Sequence, residues 1–191
     1  MELKWILQLA GVLLGLLYLY LEYKAHIALW AVSMIMPVVH GCLYFQSGLY
    51  ADAGMQVYYV SAAVYGWVCW RKGNRHTGAT RSIGHTPPAQ VPRLLAVLAA
   101  AYALLAWLLV TFTDSQVPYW DALTTALSIV ALWMLSRKWM EQWLVWLVVD
   151  AVTVGLYAYK QLPLTAALYV VYCVLAVVGY FHWKKLSISG N

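Results

Sequence analysis

Seven stretches of this sequence are each long and apolar enough to cross a lipid bilayer as a helix, which requires about 20 mostly apolar residues. They are Trp5–Leu21, Ile27–Phe45, Gly54–Trp70, Leu94–Phe112, Tyr119–Ser136, Trp139–Tyr159 and Leu164–Trp183. Charged residues make up only 10% of the chain, too few to cover the surface of a water-soluble globule. The pattern therefore predicts an all-α integral membrane protein, and it excludes a cytosolic enzyme, a nucleic-acid-binding domain and a disordered chain.

The twelve Lys and Arg side chains are distributed unevenly between the loops. If all seven stretches cross the membrane, the side that holds the N-terminus carries two of them and the opposite side carries ten. Basic loops mark the cytoplasmic side, so we expect the N-terminus outside and the C-terminus in the cytoplasm. The longest loop, Arg71–Arg93, is rich in Gly, Thr, Arg and Pro, which predicts a mobile cytoplasmic linker with solvated His76 and His85.

The chain contains an internal repeat at an offset of 113 residues. Trp30–Lys72 aligns without a gap on Trp143–Lys185, with 14 identities in 43 positions. Rare residue types match: Trp30 with Trp143, Tyr59 with Tyr172, Gly66 with Gly179 and Trp70 with Trp183. Two triple-helix copies joined by one helix must lie parallel, as in some transporters. We predict seven transmembrane helices in a 3+1+3 parallel-repeat arrangement: a first repeat at 1–72, a linker and connecting helix at 73–115, and a second repeat at 116–191.

Polar side chains inside the predicted spans follow particular helix faces. Asp150 lies near the middle of the sixth span, in a stripe at helical spacing with Trp143, Trp146, Thr153 and Tyr157. An ionisable group at mid-membrane costs at least about 2.5 kcal/mol and normally faces a cavity or a partner. Aromatic faces beside a carboxylate suit a flat aromatic cation. The stripe indicates a binding site for such a solute, although Asp150 could instead bond a Thr or Tyr of a neighbouring helix.

Other residues of the spans have structural interpretations. Gly66 and Gly179 are interpreted as sites of close helix packing, and His40 is interpreted as a hydrogen-bonded histidine of the core. Tryptophans near span ends favour interfacial anchoring. These are Trp5, Trp70, Trp107, Trp120, Trp139 and Trp183.

The sequence offers no candidates for metal, acyl or ATP-coupled chemistry. Cys42, Cys69 and Cys173 lie in apolar stretches and have neither metal-ligand spacing nor a disulfide framework. There is no His-Glu-x-x-His, no nucleophile elbow and no phosphate-cradling Gly-Lys-Ser/Thr loop. We therefore expect no metal, no cofactor and no enzymatic activity, with a small solute and the lipid bilayer as partners and no nucleic acid.

The sequence resembles the PnuC-type vitamin transporters of bacterial inner membranes, whose best-known substrate is nicotinamide riboside. The segments that carry the resemblance include Asp121-Ala-Leu-Thr-Thr-Ala-Leu-Ser, Trp133-Met-Leu-Ser-Arg-Lys-Trp139, Glu141-Gln-Trp143-Leu-Val-Trp146-Leu-Val-Val-Asp150, Tyr157-Ala-Tyr-Lys160, Tyr169-Val-Val-Tyr172 and Gln56-Val-Tyr-Tyr59. Leu132 and Gln142 depart from the Gln and Asn that many relatives carry at these positions.

The resemblance implies a seven-helix fold like that of the SWEET sugar transporters, assembled as a homotrimer in the bacterial inner membrane. It also implies facilitated diffusion without ion coupling, made one-way by cytoplasmic phosphorylation of the vitamin on its route to NAD biosynthesis. The resemblance and the polar stripes together give the candidate substrate-binding residues. These are Gln56, Tyr59, Asp121, Thr124, Glu141, Trp143, Trp146, Asp150, Tyr157, Tyr169 and Tyr172.

The leading hypothesis is an importer of nicotinamide riboside. Thiamine is also a cationic aromatic with an alcohol, and the residues do not separate it from nicotinamide riboside; riboflavin is a third possibility. The alternative from another class is a non-transporting membrane scaffold, in which the aromatic stripes are packing surfaces. An intramembrane enzyme acting on a prenyl or lipid substrate is the weakest alternative.

Overall fold

The structure, a computed structural model, describes residues 2–46, 50–72, 82–159, 161 and 163–189. Within these residues the chain forms seven α-helices and a 3₁₀ turn at Pro88–Gln90. The helices are α1 (Glu2–Tyr23), α2 (Ala28–Gln46), α3 (Tyr50–Lys72), α4 (Val91–Phe112), α5 (Pro118–Ser136), α6 (Gln142–Tyr159) and α7 (Pro163–Ser189). Each predicted span coincides with one helix. Four of them, α4 to α7, are long and apolar enough to cross a membrane, so an all-α integral membrane protein is confirmed.

The chain divides into two compact units, Met1–Arg81 and Ser82–Asn191. In the first unit, α2 packs against α1 and against α3. In the second unit, α5 packs against α4 and α6, and α6 packs against α7. The connecting helix α4 is therefore grouped with the helices that follow it. Its apolar side chains are exposed around much of the helix, as expected of a surface that faces lipid.

The turn between α1 and α2 recurs between α5 and α6, at the offset of the sequence repeat. Ala25 and Lys138, which are 113 residues apart, both have a left-handed backbone with φ of 49° and 54°. Each closes a helix with the same pair of hydrogen bonds: Ala25 N to Glu22 O and His26 N to Leu21 O, then Lys138 N to Leu135 O and Trp139 N to Met134 O. This is the Schellman end of a helix, a position that glycine usually occupies. The repeat therefore extends to backbone conformation where the side chains differ.

A buried contact between tryptophans and a glycine recurs at the same offset. In the first unit, the Trp30 ring lies over Gly66, where an added Cβ would collide with it, and meets Trp70 edge-on with centroids 5.5 Å apart. In the second unit, an added Cβ at Gly179 would lie 2.7 Å from the Trp143 ring, and Trp143 meets Trp183 edge-on at 5.8 Å. We call these contacts the first and second Trp–Gly nodes. They confirm the packing role expected of the two glycines, because only a residue without a side chain admits the ring.

Three helix ends in the second unit differ from the predicted spans by three residues or more, and the first is the start of α4, at Val91 rather than Leu94. The helix α6 begins at Gln142 rather than at Trp139, because Trp139 forms an isolated parallel β-bridge with Gly84. The helix α7 continues to Ser189, past the predicted end at Trp183. A buried cluster of Leu94, Val130, Met134 and Trp139 joins the start of α4 to the end of α5.

Candidate substrate-binding site

One carboxylate and three tyrosines lie together where α6 packs against α7. Asp150, in the middle of α6, is 8% exposed. The rings of Tyr157 and Tyr169 stack with centroids 5.4 Å apart and planes inclined by 19°, and Tyr172 meets Tyr169 edge-on at 5.5 Å. Asp150 acts electrostatically on the hydroxyl groups of Tyr169 and Tyr172. The structure thus brings together four of the predicted site residues, which we call the Asp150 cluster.

The Asp150 cluster combines a carboxyl group with aromatic faces in an apolar helix pair. A buried carboxylate is costly unless a charge or hydrogen bonds compensate it. Within the described residues, no Lys or Arg forms an ion pair with Asp150. The arrangement can therefore accept a cation whose flat ring lies against tyrosine.

The two tryptophans of the predicted site have different surroundings. Trp143 is 4% exposed, and its ring is held against Gly179 and Trp183 in the second Trp–Gly node. Trp146 is half-buried. Both indole Nε1 atoms are buried and have no acceptor among the residues that the structure describes. Trp143 therefore contributes to helix packing, whereas Trp146 keeps a buried N–H donor one turn from Asp150.

Asp121 and Thr124, predicted on the fifth span, lie in the first two turns of α5. The Asp121 carboxylate accepts a hydrogen bond of 2.7 Å from the Ser115 hydroxyl. The Thr124 hydroxyl lies 3.1 Å from the carbonyl oxygens of Trp120 and Asp121. A carboxylate in the first turn is also favoured by the helix dipole. These contacts stabilise the start of α5, and a role in substrate binding stays a prediction.

Gln56 and Tyr59, the predicted site residues of the first unit, both lie on α3. Tyr59 is 38% exposed and meets the neighbouring Tyr58 edge-on at 5.5 Å. Gln56 is half-buried. Their part in substrate binding also stays a prediction.

Glu141 is held by the linker that precedes α4. One carboxylate oxygen lies 2.7 Å from His85 Nδ1, and the other accepts bonds of 2.8 Å from the backbone N–H and the hydroxyl of Thr86. Gly84 adds the β-bridge: its N–H donates to Lys138 O, and its carbonyl accepts from Met140 N. We call this set, Gly84, His85 and Thr86 with Glu141, the linker latch. Residues 84–86 are therefore anchored, which contradicts the prediction of a mobile linker for this part of the loop. His85 is solvated as predicted, with a side chain that is 68% exposed, and it also pairs with Glu141.

The ionisation of Glu141 reflects these contacts. Partial burial alone would raise the pKa of its carboxyl, but the hydrogen bonds from His85 and Thr86 stabilise the anion and outweigh that effect. The pKa of Glu141 consequently lies below its usual value. The carboxylate is charged at neutral pH, and both of its oxygens are already engaged with the linker.

Sequence reasoning missed one buried carboxylate and misjudged three tryptophans. Glu22, at the end of α1, is 2% exposed and forms a hydrogen bond with the Tyr18 hydroxyl; it lies in none of the polar stripes identified in the sequence. Trp70, Trp139 and Trp183 are buried among helices rather than anchored at an interface. Trp107 and Trp120 are exposed, as an interfacial anchor would be. The side chains of Trp5 and His40, and all of His76, lie outside the described residues.

Comparisons with known proteins show which family the chain belongs to. The chain is 26% identical to the nicotinamide riboside transporter PnuC of Escherichia coli, over 95% of this chain and 86% of that protein. It is 28% identical to the riboflavin/roseoflavin transporter RibM of Streptomyces davaonensis, over 92% and 83%. Its fold is similar to the crystal structure of the vitamin B3 transporter PnuC, with a TM-score of 0.68, 24% identity, and coverage of 93% of this chain and 80% of that chain. The family model described as nicotinamide mononucleotide transporter matches residues 5–185, nearly the whole chain, and the protein therefore belongs to that family.

Proposed function

We propose that the protein is a facilitative importer of nicotinamide riboside across the bacterial inner membrane. Phosphorylation in the cytoplasm then traps the vitamin and commits it to NAD biosynthesis. Membership of a transporter family supports transport, and the relatives from Escherichia coli and Neisseria mucosa are nicotinamide riboside transporters at 26% and 27% identity. The observation that carries the substrate class is the Asp150 cluster.

Nicotinamide riboside is a flat pyridinium cation joined to a neutral sugar. A cation over an aromatic face gains about 2 kcal/mol or more when the contact is desolvated, and the tyrosines around Tyr169 offer such faces. The Asp150 carboxylate balances the positive charge of the ring. Both terms are weaker for a neutral ring, so the cluster favours a cationic aromatic vitamin.

The Trp146 indole supplies a hydrogen-bond donor to the same face of α6. Residues four apart on a helix lie on one side of it, which places Trp146 one turn before Asp150. Its buried Nε1, without an acceptor among the described residues, can donate to a carboxamide or ribose oxygen. Such a bond would orient the substrate beside the charge.

The finer architecture is part of the proposal. The repeat at an offset of 113 residues and the recurring turns and Trp–Gly nodes support a 3+1+3 arrangement of seven transmembrane helices. The distribution of Lys and Arg supports an outside N-terminus and a cytoplasmic C-terminus. The homotrimer rests on the family resemblance alone.

Riboflavin is the second candidate substrate, because the chain is also similar to RibM. Riboflavin is a neutral, larger ring and would gain little from Asp150. Thiamine is cationic and could use the Asp150 cluster as nicotinamide riboside does. A non-transporting scaffold would use the aromatic side chains for packing only.

The first test is the melting temperature of the detergent-purified protein with nicotinamide riboside, thiamine, riboflavin or nicotinamide. A ligand at 100 times its Kd stabilises the folded state by about 2.7 kcal/mol, so we expect the melting temperature to rise with nicotinamide riboside. Saturable uptake of the same compound into liposomes then tests transport. A rise with riboflavin alone would replace the substrate, and the absence of saturable flux for all four would favour the scaffold.

A further inference from the structure

The linker latch joins two segments that are far apart in the sequence. His85 and Thr86 lie 56 and 55 residues before Glu141, and they make three hydrogen bonds to its carboxylate. The β-bridge of Gly84 adds two backbone hydrogen bonds, of 3.1 and 2.9 Å, to residues on either side of Trp139. Hydrogen bonds to a charged group are stronger than neutral ones. In the latch, the charged Glu141 carboxylate is therefore held by hydrogen bonds from two adjacent linker residues.

The latch has an apolar base. Trp139, the partner of Gly84 in the β-bridge, is buried against Leu94 of α4 and Val130 and Met134 of α5. Met140, which donates to Gly84, is also buried. The polar contacts thus lie over a packed corner formed by α4, α5 and the turn before α6. Opening the latch would expose both the polar contacts and the apolar residues beneath them.

Glu141 stands at the start of the helix that carries the Asp150 cluster. Its carbonyl oxygen accepts the N–H groups of Leu144 and Val145, which are bonds of the first turn of α6. Its side chain meanwhile reaches the linker. The same residue therefore connects the linker to the first turn of α6, nine residues before Asp150.

The first unit has no carboxylate at the position equivalent to Glu141. At the repeat offset of 113, Glu141 corresponds to Ala28 at the start of α2. The turn before α2 has the same Schellman hydrogen bonds as the turn before α6. The latch is therefore not needed to form the turn, and its carboxylate occurs at this position in the second copy only.

We propose that Glu141 is a positioning residue of the transport site: it ties linker residues 84–86 across the turn between α5 and α6 and thereby fixes the first turn of α6, and with it Trp146 and Asp150. This assignment rests on the proposed function for the identity of the site. It gives Glu141 a role that acts through the linker and not through contact with the substrate. His85 and Thr86, which bond the Glu141 carboxylate, then share that role.

The test compares Glu141→Ala with Thr86→Val in the full-length protein. Hydrogen exchange should become about tenfold faster in peptides covering 82–90 and 142–149 when Glu141 loses its side chain, the change expected for the loss of about one charge-assisted hydrogen bond. Thr86→Val should give a smaller increase in both peptides. The Kd for nicotinamide riboside should rise about tenfold with Glu141→Ala and about threefold with Thr86→Val.

Controls separate positioning from general damage. Thr86→Ser keeps the hydroxyl and should restore the exchange rates and Kd of the original protein. Thr113→Val removes a hydroxyl at the opposite end of α4 from the linker, where it donates to Leu109 O and accepts from the N–H of Ser115, and should change neither. Glu141→Ala combined with Thr86→Val should be no weaker in binding than Glu141→Ala alone.

Two results would overturn the proposal. If Glu141→Ala raises Kd while Thr86→Val leaves it unchanged, Glu141 contacts the substrate directly. If neither variant alters exchange in 142–149, the latch does not fix α6. The exchange measurement needs no substrate, so a protein that fails to bind nicotinamide riboside would refute the proposed function while the latch is still tested.

Discussion

The helix pairs α2–α3 and α6–α7 share their packing but differ in their charges. Each contains a Trp–Gly node with nearly perpendicular indoles, at interplanar angles of 89° and 87°. In each pair, the first helix follows a turn in which one residue has a left-handed backbone. At the repeat offset, however, Asp150 corresponds to Pro37 and Glu141 to Ala28. The shared residues determine how the helices pack, whereas the carboxylates of one copy provide the candidate site and its support, so mutation can separate the two.

Removal of the node tryptophan should have the largest effect, and it should be equal in the two pairs. Trp30→Ala and Trp143→Ala should each lower the free energy of unfolding by about 3–5 kcal/mol, because each leaves a cavity over a glycine. The melting temperature in detergent without substrate measures this. Trp107→Ala, at an exposed position, is the control and should change little. Normal stability of Trp143→Ala with loss of substrate binding would instead support the ligand role predicted from the sequence.

Neutralising the carboxylate of the second pair should affect binding more than folding. Asp150→Asn should weaken the binding of nicotinamide riboside by about 2 kcal/mol, roughly thirtyfold in Kd, because it removes the carboxylate that balances the positive charge of the ring. Binding of the neutral dihydro form should change much less, as measured by titration calorimetry. Glu22→Gln alters a buried carboxylate of the first unit and should leave the ratio of the two affinities unchanged. Equal losses for both ligands would make Asp150 a structural residue.

Adding a methyl group to the node glycines should destabilise both pairs by a smaller amount. Gly66→Ala and Gly179→Ala force the indole out of place, at about 1–3 kcal/mol each. Gly15 and Gly155 have nothing within 4 Å of an added Cβ, so Gly15→Ala and Gly155→Ala should be neutral or stabilising by up to about 1 kcal/mol. Melting temperatures of the four variants test the prediction. Replacing the indole with a smaller side chain, in Gly179→Ala combined with Trp143→Leu, should recover part of the lost stability. Equal melting temperatures for Gly179→Ala and Gly155→Ala would contradict the node.

Glycine at the recurring turns should give the smallest effect, a gain of about 1 kcal/mol. Ala25→Gly and Lys138→Gly relieve a left-handed backbone that a residue with a Cβ adopts at a cost. Gln161, with φ of 59° outside the repeat, provides a third comparison. Equal increases in melting temperature for Ala25→Gly and Lys138→Gly would mean that the latch adds no strain to the second turn. A decrease for either variant would show that the side chain, not the backbone, stabilises the turn.

Helices and the repeat could be predicted from the sequence because their signals are local or periodic. Seven apolar stretches of bilayer length gave seven helices, since a chain in lipid must satisfy its own backbone hydrogen bonds. The repeat was visible because Trp30, Gly66 and Trp70 are rare residue types, and the structure shows them buried against each other. Asp150 could be singled out because a carboxylate inside an apolar span is costly unless it faces a cavity or a partner.

The linker latch and the tryptophan environments could not be predicted, for different reasons. His85 and Glu141 lie in separate loops, and no periodicity relates residues 56 positions apart. Trp183 and Trp107 both lie near the end of an apolar span, yet one is fully buried and the other is 57% exposed. Lipid and a neighbouring helix are equally apolar surroundings, so composition does not distinguish them.

The position of the linker latch also has a consequence for biogenesis. Every residue of the latch, and the cluster of Leu94, Val130, Met134 and Trp139 beneath it, precedes Gln142 in the chain. This corner can close once Glu141 has left the ribosome, whereas the second Trp–Gly node must wait for Trp183, about 40 residues later, or a few seconds at about 5–20 residues per second. The helix that bears the candidate carboxylate thus enters the bilayer from an anchor already in place.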